Sequence, residues 1–186
     1  MRGTHFSPRL KVKLNVMSDI SFGKEFSSEI TTEVRASRRC LEAIPEKIYK
    51  YKPHEKSMEL GYVALLVADM PRWIIDTIEK SEIDLATYKR FELSTNAALL
   101  KYFDDNIAGA KRTLEKSSNK DLDGLFELKV AGKVVMSSTK KESVRQTINH
   151  WVHHRGQLTV YMRLNDLAVP SIYGPSADEP NFKKPE

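Results

Sequence analysis

From Ile20 to about Ile48 the apolar residues Phe22, Phe26, Ile30, Val34, Leu41, Ile44 and Ile48 recur at helical spacing, as a helix with one buried face requires. Pro45 interrupts that pattern near its end, and YKPHEKS, residues 51 to 57, reads as a loop. A second helix is predicted from near Ser57, with Val63, Leu66, Val67, Met70, Ile74 and Ile78 along one side. Pro71 falls inside it, and a proline without an N–H predicts a kink or local break there. A third helix starts with Ser94 or Thr95 as N-cap and carries Leu99, Phe103, Ile107, Ala110 and Leu114.

The period then changes. FELKV, Ala-Gly and KVVMS alternate about a two-residue turn, the pattern of a short β-hairpin. Thr139 and Glu142 form a T-x-x-E capping box that opens a last helix running to about Asn165. The following AVPSIYGPSADEP has too many prolines for a helix and is expected to lie along the surface. The predicted fold class is all-α: a four-helix bundle with a short β-hairpin before the last helix. It occupies residues 19–179, between a leader at 1–18 and a C-terminal tail at 180–186.

A net charge of +5 suggests nucleic acid only until it is located. Arg2, Arg9, Lys11 and Lys13 stand in a leader without acids, which leaves +1 for the rest of the chain. A basic, aperiodic leader before a nearly neutral domain does not argue for a nucleic-acid partner, and this leader is expected to be disordered. No apolar run approaches the roughly 18 residues that cross a bilayer, so no membrane partner is expected. The single cysteine, Cys40, cannot form an internal disulfide, which fits a cytoplasmic protein, and reads as a small packing residue.

INHWVHHRGQL, residues 148–158, holds three of the five histidines. At 100° per residue His150 and His154 lie about 40° apart on the last helix, whereas His153 points about 100° away from His154. An i, i+4 histidine pair can present two imidazoles to one divalent metal. Tyr161 shares their face two turns on, and the apolar stripe Val144, Ile148, Trp151, Leu158 and Met162 runs beside it. A catalytic metal usually takes three protein ligands. The remaining histidines are His5, in the leader, and His54, which reads as a loop-structuring residue.

YKPHEKSMELG, VADMPRW, NHWVHHRGQLTVYMRL and VPSIYGPSADE resemble, in order, the DinB-like superfamily of bacterial bundles, over Asp19 to Glu179. The resemblance implies a four-helix bundle, a homodimer, a stress-response association, and a divalent metal held by three histidines. It also implies thiol-dependent S-transferase, isomerase or hydrolase chemistry. Carried over by residue, the H-x-x-x-H pair falls on His150 and His154. The third ligand belongs in a phrase resembling L-G-x-L-A-x-H-x-A-E-L-P, which here reads LGYVALLVADMP, with Leu66 in the histidine position. Leucine cannot coordinate, so zinc, nickel, iron or manganese should be held weakly or not at all. Asp69 or a water is the substitute left open.

Three readings follow. In the first, the metal persists and activates a bound low-molecular-weight thiol or water. In the second, a degenerate member keeps the bundle and binds a small molecule without metal chemistry; in the third it is a structural dimer. No G-x-S-x-G, phosphate loop or C-x-x-C occurs. Tyr62, Trp73 and Tyr161 could line a pocket, although aromatic residues at this spacing are usually core. Arg155 lies within the last helix's apolar stripe. A lone cation there is costly, so an acid, carbonyls or a dimer interface should meet it.

Overall fold

The structure, a computed structural model, describes residues 20–180. The leader 1–18 and all but the first residue of the 180–186 tail therefore lie outside the described residues. Helix α1 (Phe22–Glu42) opens at Ser21, whose hydroxyl accepts from the Lys24 N–H at 3.4 Å. Asn119 holds the same end, accepting from Phe22 N–H at 3.0 Å and donating to the Ile20 carbonyl at 2.7 Å. The predicted continuation to Ile48 does not occur. α1 ends at Glu42 and only a 3-10 turn, Glu46–Ile48, follows Pro45. Proline has no N–H with which to continue the ladder to Leu41, and the Leu41 carbonyl accepts instead from Asn96 Nδ2 at 2.8 Å.

Helix α2 (Leu60–Lys80) begins three residues later than Ser57, because the preceding loop is tied across its start. Leu60 and Gly61 N–H donate to the carbonyls of Tyr51 and Tyr49 at 2.9 and 2.8 Å. Gly61 permits this approach, since a Cβ there would stand 2.8 Å from the Tyr49 Cβ. The helix is continuous through Pro71, so the local break does not occur. Helix α3 (Asn96–Lys116) starts at Thr95, whose hydroxyl accepts from Ala98 N–H at 3.1 Å. A short helix α4 (Asn119–Leu122) follows.

The hairpin is present as β2 (Leu125–Val130) and β3 (Lys133–Thr139). Ala131 and Gly132 turn it with positive φ values of 49° and 77°, as a two-residue type I′ turn demands. A third strand, β1 (Glu82–Asp84), pairs parallel with β2 and was not predicted. Three residues carry too little alternation to announce a strand. Asp84 fastens β1 to the hairpin tip by accepting from the N–H groups of Ala131 and Gly132 at 3.0 and 2.6 Å.

Helix α5 (Lys140–Arg163) opens with the expected capping box: Thr139 Oγ1 accepts from Glu142 N–H, and the Glu142 carboxylate from Thr139 N–H, both at 3.1 Å. In the bundle α1 and α2 each pack against both α3 and α5. Ile30, Leu41, Leu60, Ile74, Leu99, Phe103, Leu114 and Trp151 are essentially inaccessible at its centre, each contributing about 1.5–3 kcal/mol through burial. Cys40 is fully buried among them, and burial pushes its thiol up to about 11. That matches its reading as a packing residue.

Arg155 is also inside, 1 % exposed. An acid does meet it: Glu33 of α1 forms an ion pair with the guanidinium, and the Glu33 carbonyl and Ser37 hydroxyl accept from it at 3.2 Å. The segment after α5 lies along the surface without a helix, as expected, and closes this cluster. Tyr173 accepts from Arg155 at 2.7 Å and donates to Glu33 at 2.9 Å. Glu179 and Asp178 pair with Arg39 and Arg163. No helix among the described residues is long and apolar enough to cross a membrane.

Candidate metal-binding site

The apolar stripe of α5 sets the depth of its histidines. Trp151, Leu158 and Met162 are inaccessible in the core, so His154, between them in rotation, is 5 % exposed, while His150 and His153 reach the surface. The His150 and His154 ring centroids are 4.4 Å apart with planes inclined at 41°. His153 stands 5.3 Å from His154 and 6.5 Å from His150, consistent with its divergent direction on the helix.

Burial lowers the pKa of both His150 and His154, and neighbouring imidazoles push in the same direction. Charging either ring would remove a cation from water and place it against another imidazole. The pair is thereby biased toward the neutral form, which has a lone pair available for a metal or hydrogen-bond donor. Gln157, one turn beyond His154, places Oε1 3.1 Å from His154 Nδ1. This contact suits the Nδ1–H tautomer, with Nε2 left as the free donor atom. Tyr161 is 4 % exposed on the same face, and Tyr51 meets it edge-on at 6.3 Å.

The third position is different. Leu66 is half-buried and packs against the hydrophobic core. Three residues along α2, Asp69 points about 60° away from Leu66 and is 2 % exposed. One carboxylate oxygen accepts from Trp73 Nε1 at 3.2 Å and Tyr88 hydroxyl at 3.0 Å; the other accepts from Tyr102 of α3. Burial raises the Asp69 carboxyl pKa, and these hydrogen bonds oppose the rise. Use of Asp69 as the substitute ligand would sacrifice bonds that compensate its burial. Among the described residues no group of three or more His, Cys, Asp or Glu side chains comes together to hold a metal. The donor set therefore fits half of a three-nitrogen centre.

His54 is remote from this chemistry. Its Nδ1 accepts from the Lys56 N–H at 3.1 Å, so it shapes its own loop as predicted. His5 lies outside the described residues. Of the aromatic candidates, Trp73 serves Asp69, Tyr161 borders the histidines, and Tyr62 lies beneath Arg90, 5.3 Å from its ring centroid. Sequence reasoning missed Gln157, although its i+3 spacing from His154 was a usable signal. It also missed Tyr88, whose place against Asp69 depends on how a loop folds back.

Two solved structures share this fold. A DinB-like protein, YjoA, from Bacillus subtilis has a TM-score of 0.61 and 19% identity, over 78% of this chain and 95% of that one. A DinB-like protein from Bacillus cereus ATCC 10987 has a TM-score of 0.63 and 21% identity, over 81% and 97%. The uncharacterized protein YrdA of Bacillus subtilis (strain 168) is 59% identical over 32 residues, 17% of this chain and only 19% of YrdA's length. The sequence model of the DinB family matches residues 17–185, nearly the whole chain and all of the described bundle. With the helix order, the hairpin and the paired histidines of α5 agreeing, the chain belongs to the DinB family.

Proposed function

We propose that this DinB family protein is a non-catalytic homodimeric member that binds a small molecule beside His150 and His154, its metal centre being incomplete. The observation that carries this reading is the third position: Leu66 offers no donor, and Asp69 is held by Trp73, Tyr88 and Tyr102. Two imidazoles biased toward neutrality can accept hydrogen bonds from a thiol or hydroxyl, and Tyr161 and Tyr51 supply adjoining aromatic surface. A low-molecular-weight thiol is the ligand class that suits both.

The dimer has support on the outer face of α5, where Val160 and Leu164 are 57 % and 54 % exposed. Gly156, one turn before Val160, has open space where a Cβ would project. A small residue beside exposed apolar ones lets a second helix approach closely.

A second reading has one specific observation in its favour. The histidines are adjacent and biased toward the protonation state that coordinates. In that reading a divalent metal is retained and the protein is a thiol S-transferase, isomerase or hydrolase. Metal content separates the two. Protein loaded separately with zinc, nickel and manganese, then dialysed, should retain well under one metal per chain. One metal per chain, lost in His150→Ala, would overturn the proposal in favour of the second reading.

A further inference from the structure

The three-stranded sheet has an outer edge with an unusual composition. β3 is an end strand in the order β1-β2-β3, and its far side has no strand partner among the described residues. Val134, Val135 and Met136 are 49 %, 58 % and 37 % exposed. After Lys133, beside the turn, the strand has no charge and no proline. Natural edge strands usually carry one of these, because an open row of N–H and C=O groups beside apolar side chains recruits other strands. This edge is built as though something covers it.

The register says which side a cover would extend. Met136 opposes Leu128, which opposes Ile83, and Phe126 lies on that same face one pair away. Ile83 and Phe126 are 4 % and 2 % exposed, so this face rests on the bundle. Met136 is the uncovered end of that row. A fourth strand would need alternating apolar residues for this face and polar residues for the other.

The chain contains such a segment just before the described residues. Residues 10–16 read LKVKLNV: Leu10, Val12, Leu14 and Val16 alternate with Lys11, Lys13 and Asn15. Read at a helical period the leader is aperiodic; at a period of two these seven residues alternate without exception. β3 is also seven residues long. The leader joins the bundle at the right place. Ile20 and Phe22 are held by Asn119, and the Phe22 ring lies 4.6 Å from Lys141 Nζ. Lys141 is two residues beyond the end of β3. Four residue steps separate Val16 from Ile20, a reach of about 14 Å. A leader running toward α1 along this edge has the same direction as β3.

We propose that residues 10–16 form a fourth strand, parallel to β3, along the open edge of the sheet. Leu10, Val12, Leu14 and Val16 alternate toward the bundle side and continue the row that ends at Met136. Lys11 and Lys13 face solvent at the new edge, where lysine discourages further pairing. The inference is independent of the histidine site.

Hydrogen exchange followed by mass spectrometry tests it on the full chain and on the full-length double variant Val12→Asp/Leu14→Asp. Peptides covering residues 133–139 should exchange at least about tenfold faster in the variant, with α5 unchanged. Equal rates in the two chains would overturn the proposal. So would a loss of protection spread equally across α5, which would place the leader in the core. Protection of β3 that disappears on dilution, alongside a dimer mass by light scattering, would assign the edge to a second copy and also overturn it.

Discussion

Replacing Glu33 by glutamine tests the buried cluster that joins α1, α5 and the segment after it. Arg155 is 1 % exposed and the Glu33 side chain 11 %, so solvent screens their ion pair little. Breaking a buried pair from one side typically costs about 3–5 kcal/mol, since the remaining charge stays desolvated. Here the Glu33 carbonyl, Ser37 and Tyr173 still accept from the guanidinium. The loss should therefore fall near the lower end, about 3 kcal/mol. For a chain of this size that corresponds to a Tm decrease of about 6–12 °C. Urea unfolding followed by circular dichroism gives the free energy directly, with an unchanged m-value showing that the denatured state is not responsible. Glu33→Leu combined with Arg155→Met should recover most of the loss, because apolar residues of similar size often replace a buried ion pair without penalty. A Glu33→Gln variant within about 1 kcal/mol of the parent would refute the reasoning, showing that the other acceptors suffice.

The lowered pKa values of His150 and His154 give a pH dependence of defined sign. The folded state binds fewer protons than the unfolded one, so stability is present above the unfolded value of about 6.5 and is lost as pH falls through the lowered folded values. Tm measured from pH 7.5 to 5 should fall, and the slope should flatten in His154→Gln; an unchanged slope would contradict the assignment. Leu66→His should raise zinc retention after dialysis by at least about tenfold if α2 supplies the missing donor, a conservative figure given that even outer-shell changes alter metal affinity about 10–100-fold. No gain would place residue 66 away from the pair. Val160→Glu puts a charge on the exposed stripe of α5; light scattering should report a shift from dimer to monomer, whereas an unaltered dimer would locate the interface elsewhere.

Sequence alone determined the features governed by local physics. Apolar spacing marked the four long helices; Thr95, Thr139 and Glu142 marked two of their starts; Ala131-Gly132 marked the hairpin turn. It also singled out His150 and His154, because i, i+4 spacing on a helix is itself a geometry, and it anticipated that Arg155 must find a partner. Tertiary structure decided whatever depended on a second segment. The end of α1 follows from Pro45 together with Asn96, 51 residues beyond it, which takes the Leu41 carbonyl. The start of α2 depends on a loop folded across it, and β1 exists only because β2 lies beside it. The fate of Asp69 was the least legible. Its position on α2 suggested a ligand, but Tyr88 from a loop and Tyr102 from α3 reach its carboxylate first. A buried carboxylate goes to the donors that offset its desolvation, and periodicity within one helix cannot reveal which donors another segment brings.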